Sequence, residues 1–383
     1  MRLLFVADGR SPTARNWIQY WTEHGDEVHL ASTFPCDSIQ GLAGLEVVSA
    51  AFSGRAAAPS PASRTRDARL ISLRQTIRHW LGPLTLPRAG KNLHSLAERI
   101  RPDLIHAMRI PYEGMLAANA DLHVLLVVSV WGNDFTLHAP STPLMRLHTR
   151  RTMRAADALH ADCDRDIRLA RHWGLDPSKP TLVSPGNGGV HVDVFFPPAS
   201  PVEEPVIFNP RGFRAYIRND TFFRAIPLVL KEIPTARFIC AGMAGQPEAL
   251  NWVKTLDIGK NVELLAPRPH LEMAEIYRGA QVLVSPSIHD GTPNTLLEGM
   301  ACGCFPIAGD LESIREWITD GDNGLLINPG DPHALAVAIV KAVKNKDLRF
   351  QAAGQNRTII AGRAEYARSM ARVEEFYLKV MRG

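Results

Sequence analysis

Apolar residues in this chain gather into short blocks of two alternating kinds. Leu3–Ala7, Pro102–Ala107 and Val124–Val130 read as strands, the last an apolar run rich in β-branched residues, as in a parallel strand buried on both faces. Between them the spacing becomes helical. Ala14–His24 carries Trp17, Ile18 and Trp21 on one stripe, and Gly25 ends it before a second strand at Glu27–Ser32. Further elements are predicted at Asn92–Ile100 (helix), around His160 (strand), at Asp166–Trp173 (helix) and at Thr181–Ser184 (strand). Pro197–Pro205, rich in Pro, Ala, Ser and Glu, reads as a linker. The pattern then restarts. Strands are predicted at Val206–Asn209, Ala236–Ala241, Val262–Leu265, Gln281–Ser285 and Cys304–Ala308. Helices are predicted at Thr221–Glu232, Met273–Ala280, Pro332–Lys344, Asp347–Ile360 and Tyr366–Met381. Strand, loop, helix, strand, repeated in both halves, predicts an α/β protein with two doubly wound parallel sheets.

Composition agrees with that division. A chain of 383 residues with 45% hydrophobic and 21% charged residues suits two globular domains. A net charge of +4 is too mild to call for nucleic acid. The five cysteines have no framework spacing and read as free thiols in a reducing compartment. The apolar run at Met1–Ala7 is too short for a signal peptide, and no stretch of about twenty apolar residues follows, so a cytoplasmic location is expected. One segment changes the picture. Across 64–81, Arg64, Arg66, Arg69, Arg74 and Arg78 alternate with Leu70, Ile71, Leu73, Ile77, Trp80 and Leu81 at helical spacing. Such a basic amphipathic helix either packs on a core with a solvated charged face or lies on an anionic membrane surface, here the inner face.

Candidate chemistry concentrates in Ser285–Asn323. Thr292 followed by Pro293 is a helix-start signal and predicts a helix over Pro293–Ala301, with Gly303 at its stop. The unpaired N–H groups of Asn294 and Thr295 at its mouth form an anion site. Glu298, on the same helical face, is placed to accept hydrogen bonds from hydroxyls rather than to bind that anion. Asp290 precedes the helix and faces the same mouth. Taken alone, Asp290 also reads as a turn residue and Glu298 as a solvated helix residue. Together they fit a ligand with a phosphate-rich centre and a polyol at each end, as in a nucleotide-sugar. A second cluster, Arg211, Arg214 and Arg218, lies in the loop after the Val206–Asn209 strand.

Asp290, Gly291, Pro293 and Glu298 follow the spacing acidic-Gly-x-Pro-x4-Glu, and Met300-Ala301-Cys302-Gly303, Pro306–Gly309 and Trp317–Gly324 continue it. This stretch resembles the signature of the retaining GT-B glycosyltransferases of family 4, the glycosyl transferases of group 1, with Asp290 where the family usually has Glu. The resemblance is weak before Ala120 and strong after Ala280. It implies two Rossmann-like domains facing a central cleft: 1–197, rejoined by a C-terminal helix at about 365–383, on the acceptor side, and 205–362 on the donor side. It implies donor-diphosphate contacts for Arg211 and Arg218, the latter with Asn219 replacing the family's Lys-Gly, and Arg214 in reserve. Asp290 would hold the donor sugar, Glu298 the ribose, and Gly291, Asn294 and Thr295 the helix mouth. Gly188 falls in a Gly-Gly turn beside the donor, and Asp134 either matches an acidic residue near the sugar or is an N-cap for the segment beginning at Phe135. Trp131 stands where many relatives have His, so that histidine's role is not carried over.

By the same resemblance the reaction retains anomeric configuration and needs no metal, no cofactor and no protein nucleophile, the nucleotide-diphosphate-sugar being a co-substrate. The partners implied are that donor and a glycan, lipid-linked or small-molecule acceptor; Arg10, in the loop after the first strand, either meets an anionic acceptor or is a solvated loop arginine. Two alternatives stay open: a non-catalytic nucleotide-sugar-binding paralogue and a GT-B-fold nucleotide-sugar epimerase.

Overall fold

Seven strands, β1 (Arg2–Ala7), β2 (Glu27–Ser32), β3 (Gly44–Val47), β4 (Leu104–Ala107), β5 (Leu125–Val130), β6 (Ala158–Ala161) and β7 (Thr181–Val183), pair in parallel in the order β3-β2-β1-β4-β5-β6-β7. Six more, β8 (Val206–Asn209), β9 (Arg237–Cys240), β10 (Val262–Leu264), β11 (Val282–Ser285), β12 (Phe305–Gly309) and β13 (Leu325–Ile327), pair in parallel in the order β10-β9-β8-β11-β12-β13. The computed structural model describes residues 1–53, 76–214 and 216–383. In each sheet the strand order reverses beside the first strand, between β1 and β4 and between β8 and β11. Doubly wound sheets bind ligands at the carboxyl ends of such neighbours.

The central strands β4, β8, β11 and β12 are buried along their whole length. Edge strands β3 and β13 were not predicted: β3 is half exposed and β13 has only three residues. The Pro143–Ala155 and Pro247–Thr255 helices were likewise not predicted. The second fully buries only Ala249, so its apolar periodicity is faint. Side-chain caps start several helices. Ser11 accepts from Ala14 N ahead of Pro12–Glu23, and Asp331 accepts from His333 N and Ala334 N ahead of Pro332–Lys344.

The chain divides into two compact units, Met1–Gly188 with Ser369–Gly383, and Gly189–Arg368. The division falls between two glycines with positive φ rather than in the expected linker at Pro197–Pro205. That segment is part of the second unit because the chain is already tied down there. Val190 N donates to Ala364 O at 2.7 Å, Phe195 is buried, and Gln281 Nε2 donates to Val202 O at 2.8 Å. A Cβ on Gly189 would lie 2.4 Å from Ala364 O, so only glycine fits that approach.

The Tyr366–Arg382 helix begins in the second unit and ends in the first, where Tyr377 stacks on Trp21 at 4.7 Å. A directional chain of buried hydrogen bonds starts there. Ser184 O can only accept, so His160 Nε2 donates to it at 3.0 Å, and His160 Nδ1 accepts from Ser129 Oγ at 2.9 Å. Ser129 Oγ accepts from His106 Nε2 at 2.7 Å, His106 Nδ1 accepts from Tyr377 Oη, and Tyr377 Oη accepts from Trp17 Nε1 at 3.3 Å. Every member is satisfied by one set of tautomers, with both histidines neutral.

Of the basic stretch 64–81, residues 64–75 lie outside the described residues. Residues 76–81 are helical, with Ile77, Trp80 and Leu81 exposed. Among the described residues no helix is long and apolar enough to cross a membrane. No disulfide joins any of the five cysteines.

Candidate functional site

The arginine loop starts where β8 ends. Buried Asn209 receives Arg211 N on Oδ1 at 3.1 Å and donates to Asn219 Oδ1 at 3.1 Å, while Asn219 Nδ2 donates to Gly212 O at 2.8 Å. Two backbone bonds tie the loop to the segment after β11: Arg218 N to Pro286 O at 3.0 Å and Ile288 N to Tyr216 O at 2.9 Å. The loop therefore has one path, and that path delivers Arg211 to the start of the Asn294–Ala301 helix.

Arg211 is 8% exposed. Its Nη2 donates to Asp290 Oδ2 at 2.6 Å and its Nη1 to Thr295 Oγ1 at 3.0 Å, while its buried Nε has no acceptor. Arg214 lies on the same side. It donates to Tyr216 Oη at 2.9 Å, and although burial opposes its charge, Tyr216 and Asp290 together raise its pKa. Arg218 goes elsewhere. Its guanidinium makes a two-pronged pair with Asp220 at 2.8 and 2.7 Å, and no described contact brings it to Asp290, Asn294 or Thr295. In this structure the guanidinium expected at the donor diphosphate is paired with a carboxylate only two residues away. Arg10 is diverted in the same manner, held by both oxygens of Asp8.

The helix begins one residue later than expected. Pro293 is its N-cap, in extended conformation, and no side chain caps it. Thr292 lies one residue before that cap, and its Oγ1 accepts from Trp317 Nε1 at 2.9 Å. Leu296 N and Leu297 N turn back to Pro293 O, which leaves the N–H groups of Asn294 and Thr295 as the forward-facing donors. Gly291 and the Asp290 backbone are fixed by Ser313, whose Oγ donates to Asp290 O at 2.7 Å. Uncapped N–H groups, a helix dipole and the Arg211 guanidinium thus converge on one small region, where they can hold a phosphate-like anion.

Glu298, one turn further on, is buried rather than solvated. Its Oε1 accepts from His270 Nε2 at 3.0 Å and its Oε2 from Tyr277 Oη at 3.3 Å. The bond to Glu298 raises the His270 pKa, while burial raises that of Tyr277. Neither residue was singled out from sequence. The available signal was their spacing: seven residues apart on the His270–Arg278 helix, hence on one face.

Asp134 and Gly188 belong to the other unit. Asp134 is fully buried and accepts from Arg109 Nη2 at 2.9 Å, Ile110 N at 3.1 Å and Trp131 N at 3.2 Å, so it braces the loops at the carboxyl ends of β4 and β5. Gly188 has φ of 90° and is the last residue of its unit before the crossing to Gly189. Among the described residues one group has ligand atoms close enough to share a cation, Asp162, Cys163 and Asp166, all within 4.8 Å. Arg165 already supplies the positive charge there, donating to Asp166 at 2.9 Å.

Residues 206–345 match the family described as Glycosyl transferases group 1, and residues 8–186 match the Glycosyl transferase 4-like domain. A D-inositol 3-phosphate glycosyltransferase of Corynebacterium glutamicum is 22% identical over 259 residues, covering 62% of this chain and 61% of the relative. One of Streptomyces bingchenggensis is 24% identical over 308 residues, covering 75% of this chain and 64% of the relative. The matches therefore span a little over three fifths of the length of these relatives. Among solved structures, a sucrose-phosphate synthase of Thermosynechococcus elongatus superposes with a TM-score of 0.78 at 15% identity, covering 99% of both chains. Anabaena Alr3699/HepE in complex with UDP-glucose superposes with a TM-score of 0.74 at 16% identity, covering 99% of this chain and 100% of that one. The two Rossmann-like parallel-sheet units described above have the GT-B fold, and the chain belongs to the glycosyl transferases of group 1, family 4.

Proposed function

We propose that the protein transfers a sugar from a nucleoside-diphosphate donor to an acceptor hydroxyl with retention of anomeric configuration. The observation that carries this reading is the Arg211 arrangement. A buried guanidinium with an unused Nε faces an uncapped helix N-terminus, with one carboxylate beside it and another one turn along the helix. A nucleoside diphosphate matches it part by part. Its phosphates meet Arg211, Arg214 and the N–H groups of Asn294 and Thr295, its ribose meets Glu298, and the donor sugar meets Asp290 beside Gly291. The donor-bound Alr3699/HepE structure supports a UDP-sugar among the donors to be tried first. The names of the relatives support an acceptor rich in hydroxyls.

As the bond from the anomeric carbon to the diphosphate oxygen breaks, negative charge grows on the diphosphate. The fixed charge and dipoles at the helix mouth stabilise it most at that moment. The acceptor oxygen bonds to the anomeric carbon on the same face, and its proton passes to the departing phosphate oxygen. The products are the glycoside and the nucleoside diphosphate, and no side chain acts as nucleophile. Because Arg211, Arg214 and the helix supply the positive charge, turnover is expected to proceed in the presence of EDTA. Arg218, tied to Asp220, has a supporting part in this scheme, and Asp134 acts by shaping its own loops.

The test is stereochemical. With an α-linked nucleotide-sugar, proton NMR of the first product formed should show an α-glycoside. A β-glycoside would contradict the retaining mechanism while leaving the donor site intact.

A further inference from the structure

A buried carboxylate on a helix has soft terminal torsions and turns toward whatever donors it finds. Glu298 has been given two, one on each oxygen: His270 Nε2 at 3.0 Å and Tyr277 Oη at 3.3 Å. Both come from the His270–Arg278 helix, two turns apart on one face. Phe195 packs edge-on to the His270 ring at 5.0 Å and to the Tyr277 ring at 5.9 Å, which holds the pair in place. The two differ in surroundings. Tyr277 is fully buried, whereas the His270 side chain is 61% exposed.

An ionised carboxylate offers about four acceptor positions, two on each oxygen. With one position on each oxygen already taken, one remains on each. Two acceptors a carboxylate's width apart fit two neighbouring hydroxyls, the pattern of a vicinal diol. We propose that His270 is a positioning residue for donor recognition: with Tyr277 it fixes the Glu298 carboxylate so that its two remaining acceptor positions face the 2′- and 3′-hydroxyls of the donor's ribose. This rests on the assignment of Glu298 to the ribose made above. It adds a specificity: the site distinguishes ribonucleotides from their deoxy forms, and His270 sets how strongly.

The experiment is isothermal titration of the full chain with UDP, GDP and ADP and with their 2′-deoxy and 3′-deoxy forms. It compares the wild type with His270→Ala, His270→Gln and Glu298→Ala, with thermal midpoints recorded for each. The wild type should bind the ribo form of at least one nucleotide about ten-fold more tightly than its deoxy forms. In His270→Ala the ribo form should lose about ten-fold and the deoxy forms little, so that the preference collapses. His270→Gln, which keeps an N–H donor, should restore most of it. A His270→Ala variant that weakens ribo and deoxy forms equally, or neither, overturns the role of His270 while leaving Glu298 its own. A preference that persists in Glu298→Ala overturns the ribose assignment and this inference with it. A wild type that binds none of the nucleotides overturns the donor site itself.

Discussion

Removing the Arg211 guanidinium deletes the hydrogen bonds to Asp290 and Thr295 and takes away a cation that faces the helix mouth from a buried position. Arg211→Ala should lower kcat/KM by about 10² to 10³, the usual loss when a donor to developing charge is removed. Arg214→Ala should lose about ten-fold, because that guanidinium reaches the same carboxylate only through the longer-range field. Arg218→Ala should change little, since its partner is Asp220. Steady-state kinetics of the three variants with one donor gives the order, and an Arg218 effect as large as that of Arg211 would contradict it. The acidic-Gly-x-Pro-x4-Glu run was legible in sequence because its members lie within a few residues of one another. The partners that define their chemistry were not. Arg211 meets Asp290 across 79 residues and His270 meets Glu298 across 28, separations that only the fold closes. Arg218 shows the opposite case: its partner, Asp220, is only two residues away and was within reach of the sequence.

At the level of elements, strands announced themselves where both faces are buried, and helices where the apolar stripe is wide. The Asn294–Ala301 helix shows how local signals compete. Thr292 has the chemistry of an N-cap, yet the Trp317 indole N–H needs an acceptor in the interior and takes its hydroxyl. The N-cap position itself falls to Pro293, which has no side-chain acceptor, so the helix mouth stays open, as an anion site requires. The buried chain from Trp17 to Ser184 joins the last helix to strands β4, β5 and β6, and it carries a pH dependence. Burial lowers the His160 pKa to about 4 and lowers that of His106 as well, helped by the neighbouring His160. Unfolded histidines titrate at about 6.5, so the unfolded chain binds more protons below that pH. The contribution of His160 to stability is complete above about pH 6.5 and is lost as pH falls toward 4, about 3 kcal/mol in all. The thermal midpoint should therefore decline through this window, and the decline should be shallower in His160→Gln, which keeps a donor and an acceptor but does not titrate. An unchanged slope would contradict the neutral tautomer chain.

The whole molecule was predicted as two doubly wound units, and two parallel sheets are present, each with its order reversing beside its first strand. The compact units divide at Gly188 and Gly189 rather than at the proline-rich 197–205, because contacts at Val190, Phe195 and Val202 bind that segment to the second unit. The groups assigned to the donor, from Arg211 to Glu298, all lie in that unit, so donor binding can be measured without knowing the acceptor. The most direct measurement incubates the protein with UDP-, GDP- and ADP-sugars in the absence of acceptor, and follows thermal stabilisation and slow release of free nucleoside diphosphate. The account predicts one donor that stabilises the wild type and is slowly hydrolysed, with both effects lost in Arg211→Ala and Glu298→Ala. No response to any nucleotide-sugar, or a response that survives both substitutions, would contradict it.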